Sequence, residues 1–273
     1  MKILVSGGTG FIGRSLVPVL IRGGHEVRVT TRDVDRARAQ LGPEVELVHP
    51  GDPDQWVEAV QGCDAIVNLA GESIAGGRWT AARKEGLRRS RLATTASLLD
   101  ACAAAAHRPS VFISASGIGY YGPCGDEKLD ETAPAGDDFL ARLCVDWEGE
   151  ANRGNDLGMR VVQLRIGPVL GDSGGFLEKM MLPFRLFAGG PVGSGKQWLS
   201  WIHVQDVVGL IGFALNNNQM TGPVNAAAPD ARTMAEFSRA LGAAMRRPSW
   251  IPVPGFALKI MLGEMSEMML TPR

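Results

Sequence analysis

Near the N-terminus, Gly7-Gly8-Thr9-Gly10-Phe11-Ile12-Gly13 lies directly between an apolar β-branched run and a helical one. That spacing suits the cradling of a pyrophosphate. Gly7 can make a tight turn, Gly10 lets the backbone approach phosphate oxygens, and Gly13 lets helix and strand pack closely, which aims the helix N-terminus at the anion. Gly7, Thr9, Gly10, Phe11, Ile12 and Gly13 are therefore candidate cofactor contacts, with an ordinary glycine turn as the plain alternative. About twenty residues beyond the glycines, the second strand ends on Thr30-Thr31-Arg32-Asp33. An acidic residue there hydrogen-bonds the ribose 2′-hydroxyl of NAD, whereas an arginine accommodates the 2′-phosphate of NADP. Arg32 can grip a phosphate and stack on adenine, and Thr31 offers a hydroxyl, so NADP(H) is expected. Asp33 keeps NAD as the alternative.

Later residues could hold a substrate. Arg185 in a Pro-Phe-Arg segment, Lys196 and Gln197 after a glycine turn, and the Trp198/Trp201 pair could grip an anionic group and a flat or sugar-like ring. Their competing reading is packing for the tryptophans and solvation for Lys196. Gly193-Ser194-Gly195-Lys196 lacks the long frame and following helix of an ATP-type phosphate loop. His203 reads as an anchor rather than a metal ligand. Cys63, Cys102, Cys124 and Cys144 are widely spaced, with no C-x-x-C pair and no nearby histidine to complete a zinc set. They are expected to be reduced thiols, and no metal is expected.

The elements that position these groups follow from hydrophobic patterning. Near-continuous apolar runs at 2–5, 26–31, 45–48, 65–69 and 110–114 read as strands buried on both faces, with a sixth at 160–166. Helices are expected at 12–22, 54–61, 80–106 and near 137–152. Strict alternation of strand and helix implies right-handed βαβ units and a parallel sheet, so the fold class is α/β, Rossmann-like and doubly wound. After Gly167 the texture changes to glycine loops, a tryptophan-rich stretch and helices near 204–216 and 234–245. Residues 1–166 thus form the expected nucleotide-binding core, and 167–273 a smaller C-terminal substrate lobe with segments returning to the core.

Composition agrees. The 273 residues suffice for one large α/β domain or a core carrying a lobe. With 28 basic and 29 acidic residues the formal net charge is -1, which argues against nucleic acid as a bulk electrostatic partner. No apolar window approaches the length of a membrane span, and the strand after Met1 has no basic leader or cleavage site. The expected location is the cytoplasm, the expected partner a small-molecule substrate, and a homo-oligomer is compatible with the sequence.

The chain resembles the extended short-chain dehydrogenase/reductases, the NAD(P)-dependent epimerase/dehydratase superfamily. Gly7 to Gly13 match the T-G-x-x-G-x-x-G pattern, with Ser6 replacing the opening threonine. Asn68-Leu69-Ala70-Gly71-Glu72 resembles the N-x-A-G turn, and Ser114-Ala115-Ser116-Gly117-Ile118-Gly119-Tyr120-Tyr121-Gly122 the S-S-x-x-V-Y-G segment. Leu164-Arg165-Ile166-Gly167 and Trp201-Ile202-His203-Val204-Gln205-Asp206-Val207 follow later landmarks. Within the superfamily, Arg88-x-Ser90-Arg91, Gly119-Tyr120-Tyr121-Gly122 and Leu182-Pro183-Phe184-Arg185 are similar to the "epimerase family protein" subgroup of atypical reductases. Relatives continue past Leu270-Thr271, so the resemblance implies a longer C-terminal segment.

The resemblance implies that Thr31, Arg32, Leu69, Ala70, Gly71, Glu72, Arg91 and Arg165 lie on the cofactor side. It also implies a catalytic tyrosine with a lysine four residues later. Counting from Trp147-Glu148, those positions fall on Leu140 and Cys144, and no Tyr-x-x-x-Lys pair exists in the chain. Ser116, at the family's carbonyl-binding hydroxyl, becomes the first catalytic candidate, with Ser114 and Tyr121 beside it. Glu72 or a bound water could move the proton, and Cys144 reads better as a buried thiol than as a nucleophile. The expected function is that of an NADP(H)-dependent oxidoreductase or epimerase-like enzyme acting on a small carbonyl or sugar-like compound. The alternatives are a non-catalytic NADP-sensing module and an NAD-dependent sugar-nucleotide epimerase.

Overall fold

The computed structural model describes residues 1–172, 174–251 and 263–266. The Leu270-Thr271 landmark lies outside them. Strands β1 (Lys2–Ser6), β2 (Glu26–Thr30), β3 (Glu46–Val48), β4 (Ala65–Asn68), β5 (Val111–Gly117) and β6 (Arg160–Ile166) alternate with helices α1 (Phe11–Arg22), α2 (Val34–Leu41), α3 (Pro53–Val60), α4 (Ala81–Ala104) and α5 (Phe139–Asp156). The chain continues through β7 (Val169–Leu170), α6 (Gly175–Arg185), β8 (Trp198–Leu199), β9 (Ile202–His203), α7 (Val204–Asn216), β10 (Gly222–Ala226), β11 (Arg232–Thr233) and α8 (Met234–Met245). Seven strands form one parallel sheet in the order β10-β6-β5-β4-β1-β2-β3. The winding reverses at β1, with β2 on one side and β4 on the other. In open α/β sheets, ligands bind outside the strands' C-terminal ends at such a reversal.

Strand residues alternate between two apolar layers. Ile3, Val5, Val29, Val67, Ile113 and Leu164 face Leu16 and Val17 of α1 and Val207 and Ile211 of α7. Leu4, Ile66, Phe112 and Val161 face Leu98 and Leu99 of α4 and Ala151 of α5. A third cluster, including Met180, Phe184, Leu199, Met234 and Leu241, lies under α6 and α8. The expected α/β doubly wound sheet is therefore present.

Several elements depart from the expected pattern, and three of them are disguised by their sequences. Helix α2 buries only Ala37, so its sequence carries no apolar stripe to reveal it; the Asp33 cap holds its start. Strand β10 begins Gly222-Pro223, a breaker pair tolerated because β10 is an edge strand. Helix α6 contains Pro183 and starts after Gly174, which disguises it as a loop. Strand β5 also runs three residues past its expected end, to Gly117, and so carries Ser116 within the sheet.

Candidate functional site

The turn after β1 is built by close backbone approach. Gly7 has φ +73°, and a Cβ on it would lie 2.7 Å from the Leu69 carbonyl, so the β1 and β4 turns touch at that point. A Cβ on Gly13 would fall 2.4 Å from the Gly7 oxygen. At Gly10 the only such neighbour is the Gly7 oxygen at 3.1 Å, and the turn is otherwise open. Gly10 also serves as the N-cap of α1 with no side-chain cap and no acid in the first turn. The orphan N–H groups and the positive end of the helix dipole are thus left for an anion. The Phe11 ring turns the other way: Cβ atoms on Gly171, Gly174 and Gly175 would come within 2.8, 3.0 and 2.5 Å of it. What Phe11 offers a ligand is its backbone.

At the end of β2 the two acid-or-arginine readings separate. The Asp33 carboxylate accepts a hydrogen bond from the Arg36 N–H at 2.9 Å and caps α2. The Thr31 hydroxyl closes on Asp33 itself, accepting from its N–H at 3.1 Å and donating to its carbonyl at 3.0 Å. Arg32 is exposed, with no hydrogen bond or ion pair among the described residues. Of the three side chains, the guanidinium is the one left for a ligand.

The β4 turn rests on a buried polar chain. Ser6 donates to Asn68 Oδ1 at 2.5 Å, Asn68 donates to Thr95 at 2.8 Å, and Trp147 donates to the same hydroxyl at 3.0 Å. Asn68 Oδ1 also accepts from the Ala70 N–H at 3.3 Å, which shapes the Leu69-Ala70-Gly71 turn. Under that turn lies Arg91, donating to the carbonyls of Leu87 and Glu72 at 3.0 Å each, with its Cζ 5.1 Å from the Trp147 ring. Burial pushes its pKa down to about 10. A Cβ on Gly71 would sit 3.0 Å from that Cζ, so glycine admits the guanidinium. The Glu72 carboxylate pairs with Arg83.

At the ends of β5 and β6, Ser116, Tyr121 and Arg165 meet in one buried network centred on Glu148 of α5. Ser116 donates to Glu148 Oε1 at 2.6 Å, and Arg165 binds both carboxylate oxygens at 2.9 Å. Arg165 also donates to the Tyr121 hydroxyl at 3.0 Å and the Glu131 carbonyl at 3.2 Å, while Tyr121 donates to Asn225 Oδ1 at 2.7 Å. Burial opposes the Arg165 charge, but its bonds with Glu148 and Tyr121 outweigh burial and hold its pKa above the ordinary value. Expected on the cofactor side, Arg165 has its guanidinium engaged by the protein itself. Ser114 donates to the Ala115 carbonyl at 3.1 Å. Cys144 is buried, and burial pushes its thiol up to about 11 against the pull of Ser116. Leu140 is buried against Gly119.

The candidate substrate residues of the second half separate. Gln197 is buried and donates to the Val192 carbonyl at 2.8 Å, Trp198 donates to Asp126 at 2.6 Å, and Trp201 to the Asp230 carbonyl at 3.0 Å. These three hold loops together, whereas Arg185 and Lys196 are exposed. His203 accepts from the Gln205 N–H at 3.3 Å as the cap of α7. No cluster of metal-binding side chains occurs among the described residues, and no described helix is long and apolar enough to cross a membrane. Sequence reasoning passed over Tyr120 and Asn225 and used Glu148 only as a counting landmark. Arg165, inside the apolar run of β6, carries the hint that a charged residue in an apolar stretch needs a partner.

A parallel sheet that reverses at β1, with an uncapped glycine turn at the reversal, defines a Rossmann-type α/β protein. The chain belongs to the NAD dependent epimerase/dehydratase family, whose profile matches residues 3–227. It is 44% identical to the Arabidopsis thaliana "Epimerase family protein SDR39U1 homolog, chloroplastic" over 97% of this chain and 76% of that protein. The crystal structure of human epimerase family protein SDR39U1 (isoform 2) with NADPH superposes with TM-score 0.89 at 38% identity, covering 100% of this chain and 90% of that one. A nucleoside-diphosphate sugar epimerase from Corynebacterium glutamicum matches with TM-score 0.74 at 33% identity, over 95% of this chain and 54% of its own.

Proposed function

We propose that the protein is an NADP(H)-dependent oxidoreductase or epimerase-like enzyme for a small carbonyl or sugar-like substrate. The observation that carries the cofactor assignment is at the end of β2, where Asp33 is committed to capping α2 and Arg32 is free. An acid already holding a helix end is poorly placed to take a ribose hydroxyl as well. The free guanidinium suits a 2′-phosphate. The dinucleotide fits the residues present: the open Gly10 turn and uncapped α1 receive the pyrophosphate, Arg32 the 2′-phosphate, and Leu69 to Gly71 the turn beside it. The human relative's structure with NADPH supports the same choice.

When bound, NADPH supplies a hydride; the chain supplies orientation and polarisation. The Glu148–Arg165 pair fixes the ends of β5 and β6, and the Arg91 guanidinium braces the β4 turn. Four cysteines outside any disulfide, three of them buried, suit a reducing compartment, and we place the protein in the cytoplasm, acting without nucleic acid or membrane partners.

A second reading, a nucleotide-binding module without turnover, draws support from one observation. Ser114, Ser116 and Tyr121 all donate their hydroxyl protons within the protein. Titration of NADPH and NADH into wild type and Arg32→Ala tests the cofactor assignment. Loss of a charge-assisted phosphate contact, about 1.5–3 kcal/mol, predicts about 10–100-fold weaker NADPH binding with NADH binding little changed. Equal loss of both refutes the assignment, and hydride transfer by the wild type separates the enzyme from the module.

A further inference from the structure

Of the four candidate hydroxyls at the ends of β5 and the turn after it, those of Ser114, Ser116 and Tyr121 donate to protein acceptors. The half-buried Tyr120 hydroxyl makes no hydrogen bond among the described residues. Its ring lies face-on to Arg165, with the guanidinium Cζ 3.4 Å from the ring centroid, and edge-on to Tyr121 at 5.3 Å. The ring quadrupole attracts the guanidinium, and the contact fixes the ring's place.

The short helical turn Ile118–Tyr121 that carries Tyr120 packs on α5. A Cβ on Gly119 would lie 3.1 Å from Leu140 Cβ, and one on Gly117 would lie 3.7 Å from Cys144 Sγ. Tyr120 thus follows directly on Gly119, which is seated against Leu140 of α5. A dinucleotide held by Arg32 beyond β2 and by the turn after β1 would direct its other half toward β4 and β5, which lie on the other side of β1 from β2.

We propose that Tyr120 is a catalytic residue, the proton donor and acceptor of the reaction, and that the substrate is an aldehyde or ketone whose oxygen takes its hydrogen bond. This rests on the enzymatic reading above. In the reducing direction the carbonyl carbon gains the hydride that bound NADPH supplies. The C=O π pair moves onto oxygen, the Tyr120 O–H bond breaks as that oxygen takes the proton, and the phenolate recovers a proton from water. Alcohol and NADP⁺ leave.

Tyr120→Phe keeps the ring on Arg165 and removes only the hydroxyl. Wild type and variant are compared by NADPH consumption over a panel of aldehydes, ketones and quinones, and by NADPH Kd. Loss of a positioned acid predicts a fall of about 100-fold or more in kcat with Kd little changed. A readout independent of turnover uses the fact that the chain holds only two tyrosines. Nitration by tetranitromethane, mapped by mass spectrometry, is expected at Tyr120 before Tyr121, and saturating NADP⁺ is expected to slow it severalfold. A variant that keeps wild-type kcat on the substrates the wild type reduces, or nitration of Tyr120 indifferent to NADP⁺, overturns the proposal while leaving the enzyme reading intact. A wild type that binds NADPH and reduces nothing in the panel overturns both.

Discussion

Glu148→Ala isolates the physics of the network beneath the β5 and β6 ends. Glu148 is 7% exposed and Arg165 3% exposed, so water cannot replace the lost carboxylate. The variant leaves a buried guanidinium whose remaining partners are the Tyr121 hydroxyl and the Glu131 carbonyl, and it strips Ser116 of its acceptor. Breaking a buried pair from one side costs about 3–5 kcal/mol. At about 2–4 °C per kcal/mol for a domain approaching this size, thermal unfolding followed by circular dichroism should fall by roughly 6–20 °C. Glu148→Leu and Arg165→Met each break the pair from one side in the same way, whereas their combination removes both charges and should recover part of the loss. What remains is the cost of the stranded Ser116 hydroxyl, about 1–3 kcal/mol at most, since Tyr121 still donates to Asn225. The coupling between the two sites should therefore exceed about 2 kcal/mol. Losses that simply add across the single and double variants would refute the claim that these groups act as one compensated pair.

Two further outcomes follow from the geometry. Gly13→Ala drives a Cβ to 2.4 Å from the Gly7 oxygen; it should cost about 1–3 kcal/mol of overpacking and weaken NADPH binding at least tenfold by calorimetry. Gly24→Ala, with φ +78° and nothing within 4 Å, should cost about 1–2 kcal/mol of backbone strain and leave that binding unchanged. Burial pushes Cys102 up to about 12 and Cys144 up to about 11, so at pH 8 about a thousandth or less of each is thiolate. Iodoacetamide mapped by mass spectrometry should label the partly exposed Cys124 first and reach the buried thiols only on unfolding; early labelling of Cys144 would contradict its place in the core.

The parallel sheet could be read from the sequence because β1, β2 and β4–β6 are buried on both faces and so are rich in Ile, Val, Leu and Phe. Elements whose existence depends on context were missed. Helix α2 has almost no apolar face, β10 opens with a glycine–proline pair that only an edge position tolerates, and Pro183 breaks the pattern of α6. The omission of α2 mattered for function. Arg32 and Asp33 could be read from the sequence as rivals for one ribose, and the sequence alone could not rank them firmly, because a carboxylate that binds a 2′-hydroxyl and one that caps a helix look the same. Only the presence of α2, starting at Val34, shows that Asp33 is already engaged.

The network at the ends of β5 and β6 failed to read for the opposite reason: its residue types were recognised, but their partners lie far apart in the chain. Ser116 meets a carboxylate on α5, and Arg165 on β6 meets the same carboxylate and a tyrosine from the turn after β5. A motif match locates a hydroxyl but does not say whether another residue already holds its proton. Burial with a strong acceptor makes Ser116 and Tyr121 good structural hydrogen-bond donors and poor free ones. The adjacent Tyr120, carried to the same place by the same turn, keeps its proton unclaimed against a cation. A single peptide step therefore separates a tyrosine that holds the fold from one that can serve a substrate, and the distinction rests on which hydroxyl the sheet's own network leaves unused.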